Sequence, residues 1–540
     1  MNCNYNKIIR NFVTPNRKKL MGKYLDSPLS TLVADLLWQY GVRHIVVSPG
    51  TRNSPLIVAL NRSGRYHLHS VIDERTAAFC ALGLALGSDT RVAMVCTSGT
   101  AVLNYMPALA EAMYRGVGLI AISADRPART IDTFAGQTIR QAGALAAVTG
   151  FCADLNVGMN IHHANRLVNE ALSHTNIPVH INVQLDMPLT PMTENPPLPY
   201  GLKINYAAQE PDLKLLEELA SMVRAGRRIM VLAGQMPPID SESPSLPPLP
   251  PNVVVVADAF SNYPWSEALS SGAVDQGLKH YREAIPDEFR PEVVITLGGE
   301  YVCARLKAYL RKIHTLEHYA LHTTQAVPDY LDALRGAIRF PDVRFMLGAF
   351  QRVLKATCPV KTDYASAWTT LAAYGRHEIE QMLEQDGHPV AVVGGLANGH
   401  PAGNVMISNG SVARYAQMVR WNRGVRMFAN RGVAGIEGCT STAVGIAAAD
   451  TNMDTLLITG DVSAAYDIQA LSLTVPESFT MVVLDNNGGD IFRNIVTTRK
   501  LDELETYLTT PPPYDFSRME ISNGQIFNLP VDYNNFTDIF

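Results

Sequence analysis

Short runs of apolar, β-branched residues alternate along this chain with segments whose apolar positions recur at helical spacing. Runs at 45–47, 92–96, 119–122 and 179–183 read as buried strands, as do 229–233, 253–256, 293–297, 456–459 and 481–484. None shows the in–out alternation of a half-exposed sheet, which is the pattern of parallel strands covered on both faces. The segments between them are helical. Ser27-Pro28 supplies a cap and a first-turn proline, Leu32, Val33, Leu36, Leu37 and Tyr40 form the stripe, and Gly41 ends it. The alternation predicts an α/β fold of parallel-sheet domains.

Proline sets the boundaries. The stretch from Met187-Pro188 to Pro196-Pro197-Leu198-Pro199 disfavours helix and sheet interior and reads as a stiff linker. A second break falls near Cys358-Pro359, and a Pro/Ser-rich loop spans 237–251. The expected division is an N-terminal tail (1–24), a first domain (25–190), a central domain (200–355) and a third domain (360–540). The tail carries Arg10, Arg17, Lys18 and Lys19 without an apolar run, and Met21 follows it directly. The last stretch before Phe540 does not read as a complete strand–helix unit, so a C-terminally incomplete third domain, short of an edge strand, is one expectation.

Composition narrows the class. Over 540 residues, 47% are hydrophobic and 18% charged, which suits a soluble protein with large cores. A net charge of −5 without Lys/Arg runs argues against a nucleic-acid surface. No apolar run reaches the ~18–20 residues that span a bilayer. Seven scattered cysteines without a CxxC pair argue against zinc and disulfides and for a reduced, cytoplasmic setting.

Chemistry concentrates at two strand ends. The run 456–459 leads into Gly460-Asp461-Val462-Ser463-Ala464, and 481–484 into Asp485-Asn486-Asn487-Gly488-Gly489. Parallel sheets bind ligands at the carboxyl ends of their strands. Asp461 offers a carboxylate, Asn486 an amide oxygen and Gly488 a backbone carbonyl. Two diphosphate oxygens and a water would complete an octahedron around Mg²⁺. Taken singly, Asp461 is an ordinary helix cap and Asn-Gly an ordinary turn; their joint placement favours a metal–diphosphate site.

This pairing resembles the diphosphate motif of thiamine-diphosphate enzymes. Val462 in place of glycine, with Gly488, Gly489, Ile491 and Phe492 following, is similar to one branch, the 2-succinyl-5-enolpyruvyl-6-hydroxy-3-cyclohexene-1-carboxylate synthases of menaquinone biosynthesis. Further motifs carry the likeness: Ser48-Pro49-Gly50-Thr51-Arg52-Asn53-Ser54, Asp73-Glu74-Arg75, Thr97-Ser98-Gly99-Thr100, Ala124-Asp125-Arg126-Pro127, Gly136-Gln137, Asn430-Arg431-Gly432 and Gly435-Ile436-Glu437-Gly438. The likeness runs from about Ser30 to Phe492 and is weak in the middle. Gly410 stands where the family usually has serine, and Ala304 where it often has lysine.

The resemblance implies three Rossmann-like layers: a pyrimidine domain, a central domain and a diphosphate domain. It implies thiamine diphosphate with Mg²⁺, or Mn²⁺, held by Asp461, Asn486 and Gly488. Gly460, Val462, Ser463, Ala464 and Ile491 would line the cofactor. Glu74 would meet the aminopyrimidine as the catalytic carboxylate, and Ile436 would bend the cofactor. The substrates implied are 2-oxoglutarate and isochorismate, both carboxylates and therefore partners for arginine. Ser411, Arg414 and Arg431 would hold the succinyl side, Thr51, Arg52, Arg126, Gln137 and Arg305 would face isochorismate, and Phe492 would join an apolar wall. The family implies a homodimer or homotetramer with active sites between subunits. Two other readings stand beside it: another thiamine-dependent 2-oxoacid decarboxylase or acetolactate-type synthase, and a non-catalytic nucleotide-binding α/β scaffold.

Overall fold

The computed structural model describes residues 24–88, 90–195, 201–204, 213–239, 247–262, 267–281, 285–358, 362–495 and 497–531. The N-terminal tail up to residue 23, the prolines at 196–199, residues 240–246 of the Pro/Ser-rich loop and Pro359 lie outside these. Three all-parallel sheets follow one another along the chain. A short antiparallel pair, β1 (Tyr24–Leu25) with β8 (Met192–Thr193), ties the ends of the first layer together.

The first sheet contains β2 (His44–Val47), β3 (His67–Ser70), β4 (Val92–Cys96), β5 (Ile120–Asp125), β6 (Phe151–Leu155) and β7 (Val179–Gln184), in spatial order β3-β2-β4-β5-β7-β6. The central sheet contains β9 (Ile229–Ala233), β10 (Val253–Ala257), β11 (Leu269–Ser270), β12 (Val293–Leu297), β13 (Glu317–His322) and β14 (Leu334–Arg339), in order β11-β10-β9-β12-β13-β14. The third contains β15 (Ala402–Ile407), β16 (Gly424–Ala429), β17 (Thr455–Gly460), β18 (Phe479–Asp485) and β19 (Gln525–Pro530), in order β16-β15-β17-β18-β19. The third sheet thus has an edge strand, β19, paired in parallel with β18.

Each sheet has a point where strand order reverses: between β2 and β4, between β9 and β12, and between β15 and β17. Loops leaving neighbouring strands there diverge and open a crevice, the usual ligand position in such sheets. The loops at 48–53 and 97–100, at 234–236 and 298–302, and at 408–414 and 460–464 all leave these three points.

The first and third layers share one hydrophobic core. At its centre lie helix Glu74–Ser88 and helix Cys439–Ala449. Both are built from small and apolar residues on every face, the composition of a helix with no side toward water. Every residue from 76 to 85 and from 439 to 447 is buried. Their backbones touch: a Cβ on Gly83 would sit 2.0 Å from the Thr442 carbonyl oxygen, and one on Gly445 2.2 Å from that of Cys80. Helix Tyr364–Leu383 follows the second chain break but packs on the central sheet, with Tyr364, Trp368, Leu371, Ala372 and Ile379 in the same core as Met230 and Leu232. No helix among the described residues is long and apolar enough to cross a membrane.

Gly83→Ala is expected to lower stability by about 1–3 kcal/mol, because two backbones must separate to admit one methyl group. Gly395→Ala, exposed in helix Pro389–Gly399 with nothing within 4 Å of its Cβ, should be neutral or stabilising by up to about 1 kcal/mol. Urea denaturation midpoints of the two variants test the contrast, and equal midpoints would sink it.

Candidate active site

β17 and β18 are neighbours, with Gly460 opposite Leu484, so the chain leaves both strands side by side. Helix Asp461–Tyr466 starts at once, and Asp461 is buried with its carboxylate on backbone donors. Gly488 N–H donates to its Oδ2 at 2.6 Å and Val462 N–H to its Oδ1 at 2.8 Å. Gly488 reaches this position with φ +120°, a conformation side-chain-bearing residues rarely adopt. One terminal atom of the Asn486 amide lies 2.6 Å from the Gly488 carbonyl oxygen and 3.1 Å from Asp461 Oδ1. As nitrogen it donates to both. As oxygen it makes, with those two atoms, three convergent oxygens with no proton between them, which only a cation would hold.

The donor set therefore fits a hard divalent ion. It supplies one carboxylate and neutral oxygens, and among the described residues no three His, Cys, Asp or Glu side chains cluster for a metal. An anionic ligand such as a diphosphate would complete both the charge and the coordination. Burial pushes the Asp461 carboxyl up to about 6, with the Gly488 and Val462 N–H groups pulling the other way. A bound cation would reverse that shift.

Neighbouring loops are laced to this one. Ser463 Oγ donates to the Ile436 carbonyl at 2.7 Å, and Gly460 N–H to Ser408 Oγ at 3.3 Å. Ala464 is buried beneath them. Beyond Gly488, the Phe492 ring packs against Gly489, where a Cβ would meet it at 2.9 Å, and Ile491 opens the short helix Ile491–Asn494.

The two arginines of the third layer stand on neighbouring segments, Arg414 beyond β15 and Arg431 beyond β16. Gly410 has φ +84°, which accounts for glycine at that position, and Ser411 begins helix Ser411–Met418, which carries Arg414. Arg414 is half-buried and feels the positive charge of Arg431, which together with burial lowers its pKa. Arg431 Nη1 donates to Asn409 Oδ1 at 2.8 Å and Nε to Glu300 Oε2 at 2.7 Å. Asn409 Nδ2 in turn donates to the carbonyls of Asn430, at 2.5 Å, and Gly435, at 2.6 Å. In the central layer Arg305 pairs with buried Asp275 at 3.1 Å and donates its backbone N–H to the same carboxylate, so this guanidinium has an internal partner.

The first layer contributes a separate group. Glu74 opens its helix half-buried, and burial raises its pKa; its own N–H opposes this and the Asp73 charge adds to it. Arg52 is buried after β2 and donates to the Leu185 carbonyl at 2.8 Å, while Thr51 beside it is exposed. Arg126 lies close enough to Arg52 to help lower that residue's pKa, after burial, and its Nε is buried without a hydrogen-bond partner. Gln137, with φ +61°, exchanges hydrogen bonds with Ser98 after β4.

Contacts across the layers place these groups together. Arg75 donates to the Tyr466 carbonyl at 2.9 Å, so the start of the Glu74 helix meets the end of the Asp461 helix. Gly438, just past Ile436, lies against the Phe79 ring, where a Cβ would come within 2.1 Å. Buried Glu111 accepts the Gly432 and Val433 N–H groups at 2.8 Å each. Three residues of this constellation escaped the sequence reading: Glu300, Asp275 and Glu111. Glu300 alone carried a local signal, an acidic residue after two glycines at the end of a strand.

Residues 28–146 match the thiamine pyrophosphate enzyme family, in its N-terminal thiamine-pyrophosphate-binding domain. The chain is 34% identical over 535 residues to the 2-succinyl-5-enolpyruvyl-6-hydroxy-3-cyclohexene-1-carboxylate synthase of Porphyromonas gingivalis, covering 90% of this chain and 87% of the relative. It is similar to the enzymes of that name from Flavobacterium johnsoniae (32%, covering 89% and 87%) and Desulfotalea psychrophila (32%, covering 93% of both).

Asp461→Asn should weaken Mg²⁺-dependent binding of thiamine diphosphate by about 100-fold or more, since even outer partners of a metal site contribute about 10–100-fold. Fluorescence titration of the folded variant with and without Mg²⁺ measures this. Unchanged metal dependence would remove Asp461 from the cation site.

Proposed function

The chain belongs to the 2-succinyl-5-enolpyruvyl-6-hydroxy-3-cyclohexene-1-carboxylate synthase family, and on that premise we propose that it decarboxylates 2-oxoglutarate and joins the succinyl unit to isochorismate. It is a thiamine-diphosphate-dependent enzyme. One observation carries the substrate reading: the Asp461 carboxylate, the Asn486 amide and the Gly488 carbonyl converge in the same laced set of loops as Arg431 and Asn409. A diphosphate-anchoring cation and a carboxylate-gripping guanidinium are thus held in fixed relation.

Bound thiamine diphosphate supplies the electron sink for loss of carbon dioxide. The chain's residues do the rest. Asp461, Asn486 and Gly488 hold Mg²⁺, or Mn²⁺, and Gly460, Val462, Ser463 and Ala464 admit the diphosphate to the start of a helix. Ile436 and Ile491 shape the cofactor's bed. Glu74 holds a proton at the pyrimidine N1′, a role favoured by the burial that raises its pKa. Arg414, Arg431 and Ser411 grip the distal carboxylate of 2-oxoglutarate. Thr51, Arg52, Arg126, Gln137 and Arg305 face isochorismate, and Phe492 walls the pocket on its apolar side.

A cytoplasmic homodimer or homotetramer completes the proposal, with active sites between subunits. Ile72, 83% exposed two residues before Glu74, gives such an assembly an apolar contact at the mouth of the site. The contact between the first and third layers within the chain is the one that such an assembly would form in exchanged form.

Purified protein with thiamine diphosphate and Mg²⁺ should release carbon dioxide from 2-oxoglutarate in step with consumption of isochorismate. Release without the acceptor would instead favour a simple 2-oxoacid decarboxylase. Glu74→Gln should bind the cofactor normally and lose about 100- to 10,000-fold in turnover; full activity in that variant would refute its role. Mixing inactive Glu74→Gln and Asp461→Asn proteins should restore up to about a quarter of wild-type activity, as sites shared between subunits require. A mixture that stays inactive after demonstrated subunit exchange would place each site within one chain.

A further inference from the structure

Apart from Arg305 the central layer has no assigned task in this chemistry, yet the two loops of its switch-point crevice interlock. Gly234 follows β9 and Gly298 follows β12, and the two loops pass backbone to backbone. Gln235 N–H donates to the Glu300 carbonyl at 2.9 Å and Gly299 N–H to that of Gln235 at 2.8 Å. A Cβ on Gly234 would sit 2.4 Å from the Gly299 carbonyl oxygen, and Gly298 holds φ +78°. The loops hold each other at the point where a doubly wound sheet usually admits a ligand, and a cavity of about 260 Å³ lies against them, lined in part by Gln235, Gly299, Glu300 and Arg431.

What they present is Glu300. Its carboxylate takes the Nε of Arg431 at 2.7 Å and the Nη2 at 2.6 Å. On the other side of the same guanidinium, Nη1 donates to Asn409 at 2.8 Å. Three of the five guanidinium N–H donors are therefore committed, and the plane of the group is fixed from two sides. The Gln235 side chain donates to the Ala429 carbonyl at 2.7 Å, two residues before Arg431, so the central crevice holds both the backbone and the head group of this arginine. Lys307 Nζ lies 3.8 Å from the second Glu300 oxygen. Two cations against one carboxylate leave the cluster net positive, so an anion is still attracted.

We propose that the crevice of the central sheet is an orienting clamp for Arg431, with Glu300 as its positioning residue: the carboxylate occupies the Nε side of the guanidinium and leaves the remaining N–H donors for the carboxylate of the donor acid. The clamp rests on the reading that Arg431 binds 2-oxoglutarate. A long arginine side chain loses rotamer freedom when it grips a ligand, and Glu300 removes that freedom before the ligand arrives.

The test is steady-state kinetics of full-length protein loaded with thiamine diphosphate and Mg²⁺. Glu300→Ala should raise KM for 2-oxoglutarate about tenfold, while KM for isochorismate, cofactor affinity and thermal midpoint stay within about twofold or a few degrees. Glu300→Gln keeps the size and one acceptor oxygen and should fall between wild type and alanine. In an Arg431→Lys background, Glu300→Ala should add less than about twofold, since the group it positions has gone. If Arg431→Lys raises KM for 2-oxoglutarate but both Glu300 variants leave it unchanged or lower it, the clamp is wrong and the reading of Arg431 stands. If Arg431→Lys leaves KM unchanged, that reading falls and the clamp falls with it. Equal loss for both substrates and the cofactor would mark Glu300 as merely structural and overturn the proposal.

Discussion

Two helices that touch backbone to backbone at Gly83 and Gly445 govern the architecture. Where Gly83 faces Thr442 and Gly445 faces Cys80, the separation of the first and third sheets is set by backbone contact. Such a contact has little play, because neither helix can move closer and any side chain would force them apart. Glu74 stands at the start of one helix and Gly438 just before the other, against Phe79. Within the chain, the distance from Glu74 to the loops of Ile436 and Asp461 is therefore inherited from packing between glycines further along both helices.

The same economy governs the buried charges. Asp461, Asp467 and Asp258 all have carboxyls pushed up to about 6 by burial, and each is met by N–H or O–H donors rather than by a close cation. Asp467 accepts the Ser441 N–H and hydroxyl under the shared helix pair. Asp258 accepts from Phe260, Val302 and Gln417 where the central layer meets helix Ser411–Met418. Neutral donors orient a carboxylate without cancelling its charge. At Asp461 that matters most, because the uncancelled charge is what a cation would seek. At Asp258 the directional bonds join the central layer to the third, and at Asp467 they tie helix Cys439–Ala449 to the segment after helix Asp461–Tyr466.

The sequence made the strands legible wherever both faces are covered. β4, β9 and β12 fall where the apolar runs predicted them, and the Pro28 helix ends at Gly41 with φ +85°. β3 was invisible because His67-Leu68-His69-Ser70 is a partly exposed edge strand with no apolar run. β14 is likewise a partly exposed edge strand, whereas β13 is interior and buried but its Glu-His-Tyr-Ala-Leu-His sequence contains no apolar run. Motif likeness singled out Asp461, Asn486 and Arg431, since their chemistry is local to a loop. It could not show Glu111 meeting Gly432 or Glu300 meeting Arg431, because those partners are brought together only by the docking of whole layers. Gly410 is an instructive case: a departure from the family's residue reads as a lost hydroxyl, but the backbone at φ +84° supplies a conformational reason for glycine.

The three layers share one architecture and put its switch point to three different uses. The third layer leaves its crevice open and lines it with oxygens and backbone donors, as an anionic ligand with a cation demands. The first brings Arg52, after β2, near Arg126, after β5, and Asp186 and Asp125 offset part of the repulsion between these like charges. The central layer ties its two crevice loops to each other through glycine-permitted backbone contacts, beside a cavity of about 260 Å³, and presents Glu300 to Arg431. Loops that hydrogen-bond each other hold Glu300 and the Gln235 amide in place, and through them the head group of Arg431 and the backbone two residues before it.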